Sequence, residues 1–252
     1  GSEMCIRDSY IGLQSNPSAN VGEVKAHGMD GNIAFKQRIG DVNLTLRANM
    51  TISKNEIVER DEQYNIYEYR LQKGHRVNQA MGLISLGLFK DYEDIRNSPR
   101  QTFGDVMPGD IKYKDVNGDG VVNGDDEVAI GSTTKPNFTY GFGFSAQWKG
   151  IDVNMHFQGV GKSSYFINGS SVWMFTNVNA EDNTSWGNLL SGLAHSDRWI
   201  SHEISGTMET ENPNAEYPRL SYGGNGNNYR NSTFWLLSLI HISEPTRLRR
   251  IS

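Results

Sequence analysis

One cysteine, Cys5, stands in 252 residues, so the chain can build neither a disulfide framework nor a cysteine-based zinc site. No apolar run reaches the ~18 residues that a membrane-crossing helix needs, a lack that leaves a membrane barrel possible because barrel strands alternate instead. A basic excess is also missing: 24 Lys and Arg face 29 Asp and Glu, a net charge of -5, and nucleic acid is disfavoured as a partner. Catalytic spacing is absent too. There is no Gly-x-Ser-x-Gly elbow, and the six histidines form no HExxH pair. Gly161-Lys162-Ser163 looks like the end of a phosphate loop, but His156 stands where its first glycine belongs. The chain is read as a non-enzyme.

What is present points to β-structure. The chain has 27 glycines and 10% aromatics, a mixture of turn formers and rings that suits an all-β protein. From Val42 to Ser53 the even positions Val42, Leu44, Leu46, Ala48, Met50 and Ile52 are apolar and the odd ones polar, which is the period of a half-buried strand. Ile33, Phe35 and Ile39 precede it, and Gly40-Asp41 joins the two runs as a hairpin over about residues 31–53. A second hairpin turns at Lys149-Gly150. Phe138, Tyr140, Phe142, Phe144, Ala146 and Trp148 share one face before the turn, as do Ile151, Val153, Met155 and Phe157 after it. The opposite face carries Ser145 and Gln147, then Asp152, Asn154, His156 and Gln158.

Strands of about 10 to 12 residues exceed the usual globular length and match those that cross a bilayer at a tilt. Tight turns contrast with long polar stretches over about residues 54–137 and 162–231, the asymmetry of an outer-membrane barrel. The apolar face would then meet outer-membrane lipid, and Ser145, Gln147, Asp152, Asn154, His156 and Gln158 would face the lumen. A β-sandwich using the same apolar face as its core is the alternative, in the form of a secreted, calcium-stabilised, glycan-binding module.

The stretch "DVNGDGVVNGDD" places hard oxygen donors at the positions of a calcium loop: Asp115, Asn117, Asp119, Asn123 and Asp126, with the Val121 carbonyl between them and Gly120 at the sharp turn. Calcium is the expected cofactor, in a structural role; a metal-free cluster of turn residues is the alternative. Asp126 stands where a bidentate Glu is usual, so weak affinity is expected. Trp173, Phe175, Trp186 and Trp199 lie among Asn and Ser and could stack on ligand rings, or serve as rim or loop core.

The two ends fit neither pattern. Residues 1–9, "GSEMCIRDS", and 237–252, "LSLIHISEPTRLRRIS", resemble translated sequencing adapter and are set aside from fold reasoning.

Residues 10–236 resemble the SusC/RagA family of TonB-dependent outer-membrane receptors of Bacteroidetes. The likeness is carried by "NIAFKQRIGDVNLTLRANMTISKNEIVERDE", "PGDIKYKDVNGDGVVNGDDEVAIG", "KPNFTYGFGFSAQWKGIDVNMHFQGVG", "NPNAEYPRLS" and "RNSTFWL", in that order. It implies an all-β, partial transmembrane antiparallel barrel: two long hairpins and a strand stub near Phe234, part of a 22-stranded whole with long extracellular loops. It also implies import of oligosaccharides or peptides with a SusD-like surface lipoprotein, driven by the TonB complex, by a parent of which this chain is a late barrel fragment.

Overall fold

The computed structural model describes residues 22–238 except 63, 170–171, 174, 176, 179–184, 187–196 and 223, with backbone alone at 177–178 and 185–186. The adapter-like residues 1–9 lie outside the described residues, and of the tail 237–252 only Leu237 and Ser238 are described. In chain order the strands are β1 (Glu23–Ile39), β2 (Val42–Glu59), β3 (Gln79–Gly82), β4 (Ser85–Leu88), β5 (Arg100–Gln101), β6 (Ile111–Tyr113) and β7 (Val121–Val122). They continue with β8 (Val128–Thr133), β9 (Phe138–Trp148), β10 (Ile151–Gly161), β11 (Ser164–Phe166), β12 (Asn177–Val178), β13 (Ser185–Trp186) and β14 (Leu236–Ser238).

The dominant element is an open antiparallel sheet in the order β1-β2-β9-β10. Both hairpins turn where the alternation breaks. Gly40 has φ +59°, the left-handed first position of a II′ turn, and Lys149 and Gly150 are both left-handed, at +45° and +87°, as a I′ turn requires. The first hairpin is longer than the sequence suggested, 17 and 18 residues rather than about 12, because pairing persists through the polar end from Glu23 to Gly28 against Ser53 to Glu59. Backbone pairing does not need the apolar alternation that made the inner part legible.

Register aligns the apolar positions of all four strands into rows. Ile39, Val42, Trp148 and Ile151 form the row at the turns, Phe35, Leu46, Phe144 and Met155 lie mid-sheet, and Met29, Ile52, Phe138 and Gly161 close the far end. Only Gln37 and three glycines interrupt this apolar field. Among the described residues nothing covers it: Ile33 is 70% exposed, Ile39 61% and Phe142 51%. A sandwich would bury such a face under a second sheet at about 10 Å. From Val42 to Ile52 the field runs ten residue steps, about 34 Å along the strand and roughly 26 Å in height at a barrel's usual tilt, close to the ~25 Å apolar band of an outer-membrane barrel. Trp148 at one end, with Phe138 and Tyr140 at the other, stand where aromatic girdles belong.

The long loops are not loose. Leu83, Leu88, Ile111, Tyr113, Val122, Trp199, Ala215 and Trp235 form a buried core, drawn from both loops. Backbone bonds stitch them: Leu83 N–H donates to the Asn231 carbonyl and Thr233 N–H to the Leu83 carbonyl, each at 2.9 Å, and Leu88 N–H reaches the Pro213 carbonyl at 3.2 Å. The short pairs β3-β8, β4-β6 and β5-β7 belong to this body. A strand stub is expected near Phe234 and ending at Leu236; the strand found, β14, starts at Leu236 and takes in Leu237 and Ser238, two residues set aside with the tail, antiparallel to β11 with Ser238 opposite Ser164.

Candidate functional site

The polar face of the sheet is the first candidate. Pairing places Gln147 beside Asp152, Ser145 beside Asn154, His156 beside Gly143 and Gln158 beside Gly141, so the six residues read as one polar face do share it. Ser145 Oγ donates to Asn154 Oδ1 at 3.1 Å. Arg47 and Asn49 of β2, in register with Gly143 and Gly141, extend the same face. Both were implicit in the alternation from Val42 to Ser53. The glycines form its floor. A Cβ on Gly141 would come 2.5 Å from Asn49 Oδ1 and 3.3 Å from His156 Cε1, so these two side chains lean over the buried Gly141 from opposite neighbours.

The acidic loop is the second. Asp115 accepts from Gly118 N–H at 2.6 Å and Gly120 N–H at 2.8 Å, Asn117 Oδ1 from Asp119 N–H at 2.9 Å, and Asp119 Oδ1 from Val121 N–H at 2.8 Å. Gly120, at φ +84°, makes the expected sharp turn. Asn123 caps the short 3-10 turn Gly124–Asp126, its Oδ1 accepting from Asp125 N–H at 2.5 Å. Asp126 is fully buried, accepting from Val116 N–H at 2.7 Å and Asn123 N–H at 2.8 Å. Among the described residues no three of His, Cys, Asp and Glu converge as a metal site. Asp115, Asn117 and Asp119 gather at one turn, a donor set that suits a hard cation; Asp126 serves as a backbone clamp. A strap from the first loop covers the turn. Tyr69 Oη donates to the Asp125 carbonyl at 2.7 Å, Arg70 pairs with the Asp125 carboxylate, and Asn117 Nδ2 donates to Tyr67 Oη at 3.1 Å.

The loop aromatics divide. Trp199 is 6% exposed, inside the core and packed against Gly109, where a Cβ would lie 2.4 Å from its ring. Of the two readings, ligand stacking and loop core, this burial agrees with loop core and leaves Trp199 no open ring for a ligand. Trp173 packs on the same core and stacks on Tyr229 at 5.1 Å and 14°. Phe175 lies tilted against Tyr222, with ring centroids 5.8 Å apart. The Trp186 side chain lies outside the described residues.

Sequence reading missed the polar knot that joins the loops. Asp110, fully buried, accepts from Asn225 Nδ2 at 3.0 Å, Asn228 Nδ2 at 2.9 Å and Met107 N–H at 2.8 Å. Arg219 Nη2 donates to it at 3.2 Å; Arg219 Nε is nearer, 2.7 Å from Oδ1, but out of line for a hydrogen bond. Gln101 Nε2 bonds Asn227 Oδ1 at 2.5 Å, Tyr113 Oη donates to the Asn227 carbonyl at 2.7 Å, and Trp235 Nε1 to the Asn228 carbonyl at 2.7 Å. Burial pushes the Tyr113 phenol far above its usual range, which keeps it a donor. The signal available was "GNGNNY", dense in amides between apolar segments.

Comparison with known proteins gives a consistent relationship. No family model matches the chain. TonB-dependent receptor P26 of Formosa agariphila is 26% identical over 211 residues, covering 79% of this chain and 19% of the relative. TonB-dependent receptor P3 of the same organism is 26% identical over 162 residues, 59% of this chain and 16% of the relative. The structure of the RagAB peptide transporter aligns over 86% of this chain and 22% of its own, with TM-score 0.54 and 18% identity. The RagAB peptide importer in its open-open state aligns over 87% and 21%, with TM-score 0.53 and 16% identity. The chain thus spans about a fifth of the length of these relatives. Sequence and fold agree that this chain is similar, over that segment, to a SusC/RagA-like TonB-dependent receptor, its sheet matching part of the wall of a β-barrel.

Proposed function

We propose that the chain forms part of the wall and extracellular loops of an outer-membrane, TonB-dependent nutrient importer. It takes up oligosaccharides or peptides with a SusD-like surface lipoprotein, and the TonB complex supplies the energy. The observation that carries this reading is the apolar field of β1, β2, β9 and β10, in register, uncovered, and of bilayer height. Lipid is the solvent such a face requires, because water makes each uncovered Phe or Ile unfavourable by about 1.5–3 kcal/mol relative to burial. The polar face then lines an aqueous lumen, and the folded loop body stands at the mouth. In this reading the chain performs no covalent chemistry. The secreted glycan-binding sandwich lacks support among the described residues, since no second sheet packs on the apolar face.

Calcium at the acidic turn is part of the proposal. Asp115, Asn117, Asp119 and the Val121 carbonyl supply the donors, with Asn123 beside them and Asp126 holding the loop closed. The ion would hold the turn rigid under the strap of Tyr67, Tyr69 and Arg70.

Reconstitution into phospholipid vesicles followed by an alkaline carbonate wash tests the membrane reading. Because an open sheet would leave the edge groups of β1 and β10 unpaired in hydrocarbon, the wash is applied to the segment within a closed barrel. The protein stays with the vesicles and leaves only with detergent, and release by carbonate alone overturns the proposal.

A further inference from the structure

We infer that the Asn123-Gly124 bond is a site of self-modification: Asn123 loses ammonia to form a succinimide, and water opens that ring to an aspartyl or isoaspartyl residue. Water is the only other reactant, and neither the lumen wall nor a bound ion is needed.

The reaction has simple local requirements. The N–H of the following residue must be free to attack, a donor to the side-chain carbonyl stabilises its developing negative charge, and the side-chain amine must be free to leave. A glycine in the following position removes the Cβ that would crowd ring closure. The sequence has four Asn-Gly bonds, after Asn117, Asn123, Asn168 and Asn225, and the fold separates them.

Asn123 meets every requirement. Gly124 N–H opens a 3-10 turn and has no acceptor among the described residues, and a Cβ built on Gly124 would find nothing within 4 Å. Asn123 Oδ1 accepts from Asp125 N–H at 2.5 Å, a backbone donor placed where the oxyanion develops. Asn123 Nδ2 has no partner among the described residues. At Asn117 the groups are tied: Gly118 N–H donates to Asp115 Oδ1 at 2.6 Å, and Asn117 Nδ2 donates to Tyr67 Oη and Asp119 Oδ2, each at 3.1 Å. Asn225 is 7% exposed and its Nδ2 donates to Asp110 at 3.0 Å, away from water. Asn168 is intermediate. Gly169 N–H has no acceptor among the described residues, but Asn168 Oδ1 has no donor and Nδ2 reaches Asn231 Oδ1 at 3.3 Å.

The step balances without a redox change. Gly124 N gives its proton to solvent and bonds to Asn123 Cγ; the Cγ–Nδ2 bond breaks, and Nδ2 takes a proton from water and leaves as ammonia. Water then opens the ring at Cγ, which leaves an aspartyl side chain, or at the main-chain carbonyl carbon, which routes the chain through Cβ and Cγ. Either product adds a negative charge beside Asp125. The isoaspartyl form also lengthens the main chain where Asn123 N–H donates to Asp126 Oδ2 at 2.8 Å, and so opens the clamp on the acidic turn.

Peptide mapping by mass spectrometry tests this on the segment within its closed barrel, held in detergent at mildly alkaline pH for increasing times. Isoaspartyl methyltransferase marks the rearranged product. Asn123 converts first and Asn168 next, with Asn117 and Asn225 slower than Asn123 by about tenfold or more. In urea the four bonds converge on similar rates, because only the fold separates them. Gly124→Ala slows conversion at Asn123 about tenfold. Asp115→Ala, which frees Gly118 N–H, speeds Asn117 and leaves Asn225 slow. Rapid conversion of Asn225 in a variant means that its fold is lost, and the ranking in the native chain then decides alone. Equal rates at the four bonds in the native chain, or an Asn123 as slow as Asn225, overturns the proposal. So does conversion at Asn123 that a folded Gly124→Ala leaves unchanged.

Discussion

Asn228 Nδ2 donates to the buried Asp110 carboxylate at 2.9 Å, joining residues 118 positions apart and, with them, the two long loops. The bond matters to the loop body because a carboxylate without solvent must be compensated by its neighbours. Asn228→Ala removes one donor from a buried charge and is expected to destabilise the loop body by about 1–3 kcal/mol. Hydrogen exchange reads the outcome: the amides of Leu83 and Thr233 lose protection while those of Phe142 and Phe144 keep theirs. Uniform loss across loops and sheet would contradict a separate loop body.

Gly82 and Gly141 separate two kinds of close approach. A Cβ at Gly82 would meet the Asn231 carbonyl oxygen at 2.5 Å and its carbon at 2.8 Å, backbone that is itself bonded to Leu83. At Gly141 the nearest atom is Asn49 Oδ1, the end of a side chain free to rotate away. Gly82→Ala is therefore expected to lower the loop body's thermal midpoint clearly, and Gly141→Ala to change it little.

An acid-dependent contribution comes from Asp94 and Lys112, 2.7 Å apart between the short helix Tyr92–Arg96 and β6. Burial alone would raise the Asp94 carboxyl, but hydrogen bonds from Lys112, Lys90 N–H and Ser98 outweigh it and hold the group below its ordinary value of 3.8. A lowered folded-state value means stability that is complete above 3.8 and fades as pH falls through the lower folded value. NMR titration of the Asp94 carboxyl carbon should give a midpoint below 3.8 in the native chain. In Lys112→Met it rises; a midpoint unmoved by that substitution would mean the ion pair does not set it.

Calcium binding by the acidic turn is expected to be weak, on the order of 10⁻⁴ M, since the shorter Asp126 replaces a bidentate Glu and is occupied in capping. Calorimetry of the chain with calcium should show one such site, lost in Asp115→Ala and in Asp119→Ala. Uptake unchanged by both substitutions, or no heat in the native chain, would leave a hydrogen-bonded turn in its place.

The sheet was legible because its signal is local. From Val42 to Ser53 and from Phe138 to Phe157 each residue's side follows from its neighbours two positions away, and Gly40 and Gly150 mark the turns. The loop body was not, because its organising bonds join Asp110 to Asn225 and Asn228, and Leu83 to Asn231, and no local period encodes such pairs. Trp199 shows the same limit. The sequence leaves it open between ligand stacking and rim or loop core, because the core that buries it arrives from residues 83–122 and 215–235. The acidic loop lies between these cases: its ligand spacing was plain, but the use of Asp126 as a clamp on Val116 and Asn123 emerges only from the fold.

The apolar field should resist charge in a depth-dependent way. Phe144→Arg or Met155→Arg, mid-field, should cost roughly 2–4 kcal/mol in a bilayer-folded state, and Ser145→Arg or Asn154→Arg close to nothing. Equal damage on both faces would indicate a sheet covered on both sides.

The central claim, that one face of β9 meets lipid and the other water, is tested most directly by nitroxide scanning from Thr139 to Gln147 with the segment in a closed barrel in vesicles and native cysteines replaced by Ser. Oxygen accessibility should alternate with a period of two, high at Tyr140, Phe142, Phe144 and Ala146 and greatest near Phe144. A water-soluble nickel chelate should give the opposite pattern, high at Thr139, Ser145 and Gln147. Loss of the alternation, with both faces shielded from oxygen and chelate or both open to the chelate, would contradict the account.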